Sequence, residues 1–375
     1  PYGIEAMLPK MSHVNILLEG IECKTANIIK QEMLSIGGDA AVSHASVSCS
    51  AKKTDCIIMG TVKQIQRFSD KISLQPLGLK DIAKSIKELL GNAAKDMFIL
   101  RTCKREIILG DKTAVMGILN VTPDSFSNGG LFKKPGDAVE YALKMAEDGA
   151  DIIDVGGESS RPGAEPVPVD EEMARVIPVI KGLERSVKIP ISIDTAKAEV
   201  ARAAIDSGAE IVNDISGMTF DSLMPRALAE TGAAVVLMHM RGTPKDMQKG
   251  DLSYRSLRGE IIEFLADRID EARAAGISEE SIMIDPGLGF GKTGEDSMRL
   301  LGHLSEFRVL GRPIVVGPSR KAFIGRITGG EPRERLEGTA ASVTVAIMNG
   351  TNVVRVHDVR AMKKVAAVAD AILRA

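Results

Sequence analysis

Eight short apolar runs between residues 114 and 356 are each followed by polar side chains that can bind or react with a ligand. At a single position, an Asp or Asn after such a run is more often a helix cap or a turn residue. Eight occurrences in phase with eight runs favour a functional site instead. In chain order the polar groups are Asn120, Asp154, Asp194, Asn213 with Asp214, His239, Asp285, Ser319 to Lys321, and Arg355 with His357.

Cationic groups follow the seventh and eighth runs. Ser319, Arg320 and Lys321 stand at the predicted N-terminus of a short helix, and Arg355 and His357 follow the last run. Helix N-termini and the loops after strands seven and eight of (β/α)₈ barrels commonly hold phosphate. Structural salt bridges are the alternative for Arg320 and Arg355. We favour an anion site made by Lys321, Arg355 and His357.

Three acceptors, Asp194, Asn213 and Asp285, stand in the opposite sector. Buried carboxylates are costly unless they are hydrogen-bonded, and an Asn side chain offers both a donor and an acceptor. We therefore expect a ligand with a flat hydrogen-bonding end and an anionic end. No His, Asp or Glu spacing resembles a permanent metal cage, but the amide oxygen of Asn120 suits Mg²⁺ that arrives with phosphates.

Three loops between these runs are rich in glycine. The first two, NVTPDSFSNGG (120–130) and GGESSRPGAEPVP (156–168), have the composition of connectors or of mobile lids. Arg161 in the second loop would close over an anion, with a solvated surface arginine as the alternative. The third loop, DPGLGFGKTGE (285–295), formally matches a dinucleotide-binding fingerprint and nearly matches a P-loop. Because it follows the sixth run rather than the first, we expect its glycines to let the backbone approach a flat ligand.

The apolar runs alternate with stretches of helical periodicity, which indicates a parallel sheet buried on both faces. Eight such units in about 260 residues match a closed (β/α)₈ TIM barrel with the polar tips on its C-terminal rim. An open doubly wound sheet is the alternative, because periodicity does not show closure. The predicted strands are 114–119, 152–155, 189–193, 211–212, 234–238, 282–284, 313–316 and 353–356, and the predicted helices are 137–148, 171–183, 197–207, 222–231, 257–275, 335–348 and 359–373.

Residues 1–95 have a different pattern and carry no motif for chemistry. Short alternating elements predict a small α+β domain, ferredoxin-like in arrangement. Residues 96–375 are the predicted barrel domain, preceded by a hairpin over 98–110 (FILRTCKREIILG). The predicted elements of the first domain are strands over 15–18, 40–47 and 55–59, and helices over 25–35 and 79–90, the last ended by Gly91.

Composition excludes several classes of partner. The formal net charge is −2 and only 3% of residues are aromatic, so there is neither a basic excess nor a stacking surface for nucleic acid. No apolar run reaches the ~18 residues of a membrane span. The four cysteines form no CxxC pair, and no secretory signal is visible, so we expect a reducing, cytoplasmic location.

Eight segments are similar, in order and spacing, to the signatures of the dihydropteroate synthase family. The similarity covers about residues 96–375 and leaves 1–95 outside it. It implies a transferase of folate biosynthesis, in which the amine of p-aminobenzoate displaces pyrophosphate from 6-hydroxymethyl-7,8-dihydropterin pyrophosphate to give 7,8-dihydropteroate. The segments are GILNVTPDSFSNGG, DVGGESSRPGA, PISIDTAKAEVA, NDISG, LMHM, DPGLGFGKT, GPSRKAFIG and VRVHDV.

The resemblance also implies roles for single residues and a homodimer through barrel helices. Asp194 would stabilise the cation that forms as pyrophosphate leaves, and Asn120 would hold a Mg²⁺ ion on the pyrophosphate. Lys321, Asn120 and Arg161 would be the other catalytic groups. The implied sets are Asp194, Asn213, Met238, Asp285 and Lys321 for the pterin; Asn120, Arg161, Arg355 and His357 for pyrophosphate; and Ser160, Pro162, Phe290, Ser319 and Lys321 for p-aminobenzoate.

The chain departs from the family pattern at two places in the expected p-aminobenzoate slot. Ser160 stands where Thr is more usual, and Pro318 stands where a β-branched residue is more usual. Both changes bear on affinity for p-aminobenzoate and for sulfonamides, which mimic it. Two other functions remain as alternatives: methyl transfer from a folate to a corrinoid, which needs no pyrophosphate site, and a catalytically silent relative that binds a partner through its extra domain.

Overall fold

The computed structural model describes residues 2–47, 52–122 and 134–375, without the side chains of residues 2, 3, 5, 6 and 47. The chain divides into two compact units, Pro1–Ala94 and Lys95–Ala375. Residues 123–130 of the first glycine-rich loop lie outside the described residues, so its role as a lid stays a prediction. In the described parts of the chain, no helix is both long and apolar enough to span a membrane.

The first unit is a three-stranded antiparallel sheet with helices packed on one face. Its elements are α1 (Tyr2–Met11), β1 (His13–Glu22), α2 (Cys23–Ser35), β2 (Asp39–Val42), α3 (His44–Val47), β3 (Lys53–Thr61), α4 (Val62–Ile72) and α5 (Leu79–Ala93). Ile16 and Ile58 pack with Phe68 in its core, whereas Leu17 and Ile57 are exposed on the other face. The prediction of a small α+β unit is confirmed.

A ferredoxin-like arrangement is wrong, because that fold needs four strands and the described residues of this unit form three, in the order β1-β3-β2. The predicted strand over 40–47 ends at Val42 and is followed by α3. Helix α5 passes through Gly91, because a glycine costs a helix only about 1 kcal/mol. The sequence did carry a signal for the unpredicted α4: Thr61 and Gln64 form a capping box at its start.

The second unit begins with the predicted hairpin, formed by β4 (Phe98–Arg101) and β5 (Glu106–Leu109). Phe98, Leu100 and Leu109 point to one side and pack against the first inward-facing residues of the barrel strands. Ile99 and Ile108 alternate with them and are exposed. The hairpin therefore closes the N-terminal end of the barrel with apolar side chains and leaves the other end for chemistry.

Eight parallel strands form the barrel, as predicted. They are β6 (Ala114–Asn120), β7 (Ile152–Gly156), β8 (Ile191–Asp194), β9 (Ile211–Asp214), β10 (Ala234–Met238), β11 (Ile282–Asp285), β12 (Val315–Val316) and β13 (Val353–Val356). A bridge between Ile284 and Ile314 joins β11 to the residue before β12 and closes the ring. The open doubly wound sheet is therefore wrong.

Helices surround the barrel and bury its outward-facing residues. They are α6 (Pro135–Glu147), α7 (Val169–Glu184), α8 (Ala198–Asp206), α9 (Met224–Thr231), α10 (Leu257–Ala274), α11 (Gly294–Gly302), α12 (Ala322–Thr328), α13 (Leu336–Met348) and α14 (Val359–Arg374). Outward residues such as Val155, Ile193 and Val212 join the helix side chains in one large core. The next residue of β8, Asp194, faces inward and lies at the mouth of the barrel.

We predict that Leu100→Ala destabilises the protein by about 2–5 kcal/mol, because Leu100 is fully buried between the hairpin and the barrel strands. Ile99→Ala is the matched control, since Ile99 lies on the exposed face of the same strand and its loss should change stability by about 0.5 kcal/mol or less. Urea unfolding measures both. Equal losses in the two variants would show that the hairpin does not plug the barrel.

Candidate active site

At the mouth of the barrel, four residues on adjacent strands are paired in register. Asn120 pairs with Gly156, Gly156 with Asp194, and Asp194 with Asn213. A Cβ built on Gly156 would lie 3.6 Å from Asn120 Oδ1 and 3.7 Å from Asp194 Oδ2. These two oxygens therefore border the same small gap, although 73 residues of chain lie between their Cα atoms.

The guanidinium of Arg355 joins two carboxylates across the mouth. Its Nε donates to Asp154 Oδ2 and its Nη2 donates to Asp194 Oδ2, each at 2.6 Å. Asn213 Nδ2 donates to the same Asp154 oxygen at 3.1 Å. Two N–H groups of Arg355 Nη1 and the Oδ1 atom of Asn213 are left to face a ligand.

Asp154 is the residue of this cluster that sequence reasoning placed at the rim but to which it gave no role. It is completely buried, two residues before Gly156, and lies one layer below the mouth. Its Oδ1 atom has no hydrogen-bond partner among the described residues. The alternation of inward and outward residues in β7 placed Asp154 inside the barrel, but its bond to Arg355 follows only from the registers of β7 and β13 against β6, the strand between them.

Opposing effects set the charge of this cluster. Burial raises the pKa of Asp194 to about 7; the positive charge of Arg355 opposes the rise and the negative charge of Asp154 adds to it. Burial also acts to lower the pKa of Arg355, but Asp154 and Asp194 outweigh it and raise that pKa above its usual range. Arg355 therefore stays charged, and Asp194 exchanges its proton near neutral pH.

A second pair of opposite charges lies across the mouth. Asp285 Oδ1 accepts from the Gly287 N–H at 2.7 Å, and burial raises the pKa of the carboxyl group. Burial lowers the pKa of Lys321 to about 8, against the attraction of Asp285. Lys321 Nζ also lies 4.3 Å from the centre of the Phe290 ring, which packs with Met238. The structure thus brings these predicted residues together.

Ser319 and His357 are hydrogen-bonded to each other. Ser319 Oγ accepts from the His357 backbone N–H at 3.2 Å and lies 2.9 Å from His357 Nδ1. Burial, together with the positive charges of Arg320, Arg355, Arg161 and Lys321, lowers the pKa of His357 to about 3, so the imidazole is neutral. The hydroxyl therefore donates to Nδ1, and the Nε2–H group is left to donate to an anion.

Arg320 forms a structural salt bridge, which the sequence analysis gave as the alternative to anion binding. Its Nε and Nη2 donate to the two carboxylate oxygens of Asp358 at 3.1 and 2.7 Å. Its φ of 59° is in the left-handed region, which costs a residue other than glycine free energy. The Asp358 pair and a bond from the Arg320 N–H to Thr339 hold this conformation.

The second glycine-rich loop lies over the same mouth. Arg161 is exposed, and its guanidinium makes no hydrogen bond within the described part of the chain. Lys197 holds the base of this loop through Glu158 and the Val167 carbonyl oxygen. A cavity of about 370 Å³ separates the loop from those after β8, β9 and β10, and its lining includes Ser160, Asp194, Ile215 and Phe220. Pro162 is exposed nearby.

Two glycines of the third loop serve packing, whereas the approach of this loop's backbone to a flat ligand stays a prediction. Gly287 and Gly291 have positive φ, and an added Cβ would lie 2.0 Å from the His239 carbonyl oxygen and 2.6 Å from Arg241 Cβ, respectively. They let this loop lie directly on the segment that follows β10. Thr293 caps α11 through Asp296, so its hydroxyl group does not face a phosphate.

The described residues contain no group of three His, Cys, Asp or Glu side chains that could hold a metal ion. Asn120 does offer an amide oxygen beside Asp194 at the mouth. Such a neutral, hard ligand fits Mg²⁺ that is bound mainly through phosphates better than a resident ion.

Comparisons with known proteins agree with this geometry. A family model described as "Pterin binding enzyme" matches residues 116–357. The dihydropteroate synthase of Synechocystis is 50% identical over 266 residues, which cover 71% of this chain and 92% of that protein. A dihydropteroate synthase of Xanthomonas albilineans, solved with 4-aminobenzoic acid, superimposes with a TM-score of 0.69 at 43% identity, over 74% of this chain and 99% of the other.

A third relative extends the match into the first unit. A probable bifunctional folylpolyglutamate synthase/dihydropteroate synthase of Haloferax volcanii is 40% identical over 348 residues. That alignment covers 90% of this chain but only 41% of the relative. It is longer than the whole second unit, so it includes part of the first. These matches show that the chain belongs to the dihydropteroate synthase family of pterin-binding enzymes.

Proposed function

We infer that this protein condenses 6-hydroxymethyl-7,8-dihydropterin pyrophosphate with p-aminobenzoate to give 7,8-dihydropteroate and pyrophosphate. One observation carries the inference: a buried set of acceptors, Asn213 and Asp285, shares a mouth with the cations Arg355 and Lys321. A molecule with a flat heterocycle at one end and a diphosphate at the other matches both halves. The relative solved with 4-aminobenzoic acid supports the second substrate.

The pterin is assigned to the side of the mouth that offers acceptors. Asp154 uses one N–H of Asn213, so the Asn213 Oδ1 atom and its second N–H are turned toward the ligand. Asp285 keeps one carboxylate oxygen for ring N–H groups, since its other oxygen accepts from Gly287. Met238 offers a buried apolar surface to a ring face. Lys321 donates from the opposite side.

The diphosphate is assigned to the other side. Arg355 Nη1 and His357 Nε2–H are donors without a role in holding the fold. Arg161 adds a guanidinium from the second loop, which fits a grip that closes after binding. Asn120 would hold a Mg²⁺ ion on the diphosphate, which would neutralise charge on the leaving group.

The p-aminobenzoate slot is assigned to the outer part of the mouth. Phe290 and Pro162 offer apolar surfaces, Ser319 and Ser160 offer hydroxyl groups, and Lys321 contacts the Phe290 ring. The missing methyl group of Ser160 widens this slot slightly relative to a threonine.

The reaction breaks the bond between the pterin methylene carbon and the pyrophosphate oxygen. The amine nitrogen of p-aminobenzoate forms a bond to that carbon and gives up one proton, and pyrophosphate leaves with the electron pair of the broken bond. Positive charge develops on the pterin methylene as the leaving group departs. The Asp194 carboxylate stabilises this charge in its ionised form, and Arg355 holds the carboxylate in place.

We predict that Asp194→Asn lowers kcat by about 10²–10³-fold, because the variant keeps the shape but loses the negative charge. Pterin binding should remain measurable by calorimetry. The assay mixes the protein, both substrates and Mg²⁺ and follows pyrophosphate release. Absence of release by the folded natural protein would refute the proposed function, and equal losses of binding and turnover in Asp194→Asn would refute the role of Asp194.

The pH dependence of kcat/KM should have an acid limb near pH 7, because Asp194 has a pKa of about 7 and acts ionised. Asp154→Asn removes a negative neighbour that raises this pKa, so its acid limb should move to lower pH even though the loss of an Arg355 anchor lowers activity overall. The ionisation of the substrate is common to both proteins and cancels in the comparison. An unmoved limb would contradict the prediction.

A homodimer through the last two helices is also proposed. Val345, Met348, Val368 and Ile372 on α13 and α14 are exposed apolar side chains, and these helices pack against each other. We expect a dimer in sedimentation velocity and a monomer for Val368→Glu combined with Ile372→Glu. Leu223→Glu, an equally exposed site away from these helices, is the control and should stay dimeric. A cytoplasmic location stays a prediction.

A further inference from the structure

The proposed reaction leaves one buried titratable pair, Lys292 and His239, without a role. Lys292 is 1% exposed, and its Nζ lies 2.7 Å from His239 Nδ1, 3.2 Å from the His239 carbonyl oxygen and 3.1 Å from the Phe290 carbonyl oxygen. No carboxylate among the described residues lies within ion-pair distance of this nitrogen. A buried ammonium without an anion is costly, so this contact set needs a specific reason.

Proton counting shows that a neutral amine fits the three contacts. A neutral amine has two N–H groups and one lone pair. The two carbonyl oxygens accept the two N–H groups, and the Nδ1–H of a neutral His239 donates to the lone pair. Lys292 Nζ and His239 Nδ1 are then both satisfied without a buried charge.

The surroundings act in the same direction. Burial lowers the pKa of Lys292 well below its usual range; Lys321 and Arg241 lower it further, and Asp285 and Asp296 oppose them. Burial lowers the pKa of His239 to about 2, with Lys292 and Arg241 adding to the effect.

The pair connects the end of β10 to the loop after β11, which form two sides of the mouth. His239 follows Met238 at the end of β10, and Lys292 and Phe290 belong to the loop after β11. Phe264 packs edge-on against the His239 ring at 4.9 Å, which fixes the imidazole. Lys292 therefore ties the backbone of Phe290 to a rigid strand end.

We propose that Lys292 is a positioning residue, whose hydrogen bonds to His239 and Phe290 set the width of the p-aminobenzoate slot. The Phe290 ring packs with Met238 and lies 4.3 Å from Lys321 Nζ, so a shift of the Phe290 backbone would displace the slot wall and weaken its contact with Lys321. The proposal rests on the proposed function, because that function assigns Phe290 to the slot. Lys292 itself touches no substrate.

Kinetics of Lys292→Met test the proposal in the full chain, with Lys249→Met as the matched control because Lys249 is an exposed lysine in the loop after β10. We expect the KM for p-aminobenzoate to rise about tenfold, the effect of one lost hydrogen bond of ordinary strength. The KM for the pterin pyrophosphate should change about twofold or less, and Lys249→Met should match the natural protein. An unchanged KM for p-aminobenzoate, or equal rises in both KM values, would overturn the proposal.

If Lys292→Met does not fold, Lys292→Gln is tested in its place, since its polar but shorter side chain cannot reach all three partner atoms of the lysine nitrogen. The same split between the two KM values is expected there, and its absence would overturn the proposal. A natural protein that forms no dihydropteroate would instead refute the proposed function.

The free energy of unfolding tests, without any substrate, whether the Lys292–His239 pair is uncharged. The unfolded chain protonates Lys292 below a pKa of about 10.4, whereas burial holds the pKa of Lys292 in the folded chain well below that value, so unfolding takes up a proton between the two pKa values. The free energy of unfolding of the natural protein, relative to Lys292→Met, should therefore rise from pH 7 to pH 10. A difference that stays constant with pH would show that Lys292 is charged in the folded chain and would contradict the uncharged Lys292–His239 pair.

Discussion

The ion-paired guanidinium of Arg355 is the interaction on which the mouth of the barrel depends. Asp154 and Asp194 lie on adjacent strands and are buried, so without a cation between them at least one would have to take up a proton. Arg355 comes from β13 and connects these strands with the last one in the chain. The same contacts leave Arg355 Nη1 and Asn213 Oδ1 without a hydrogen bond among the described residues, so one set of contacts balances the charge and leaves these atoms available to the proposed ligand.

Charge is balanced elsewhere in the mouth by pairing or by neutrality. Asp285 and Lys321 attract each other across the mouth, whereas His357 is kept neutral by burial and by four nearby cations. Lys292 is proposed to be neutral as well, next to His239. An anion at the mouth would therefore meet donors from Arg355, Arg161 and His357, of which Arg355 is already paired with Asp154 and Asp194. These donors suit an anionic ligand.

Sequence periodicity predicted the barrel well, because strands buried on both faces produce apolar runs that no surface loop imitates. The polar residue after each run also located the mouth, since parallel strands end on the same rim. The partner of each polar residue could not be predicted, because it depends on register between distant strands. Asp154 and Arg355 are 201 residues apart, and Arg320 pairs with Asp358, whereas Arg355 pairs with the mouth residues Asp154 and Asp194. The packing of Gly287 and Gly291 could not be predicted for the same reason: their neighbour is the backbone of another loop.

The groups assigned to chemistry all come from residues 120–357, within the second unit, and the hairpin of that unit already closes the other end of the barrel. The first unit has a core of its own, around Ile29 and Phe68, so it does not need the barrel to bury its apolar side chains. Its sheet nevertheless leaves Leu17 and Ile57, directly paired across β1 and β3, exposed to solvent.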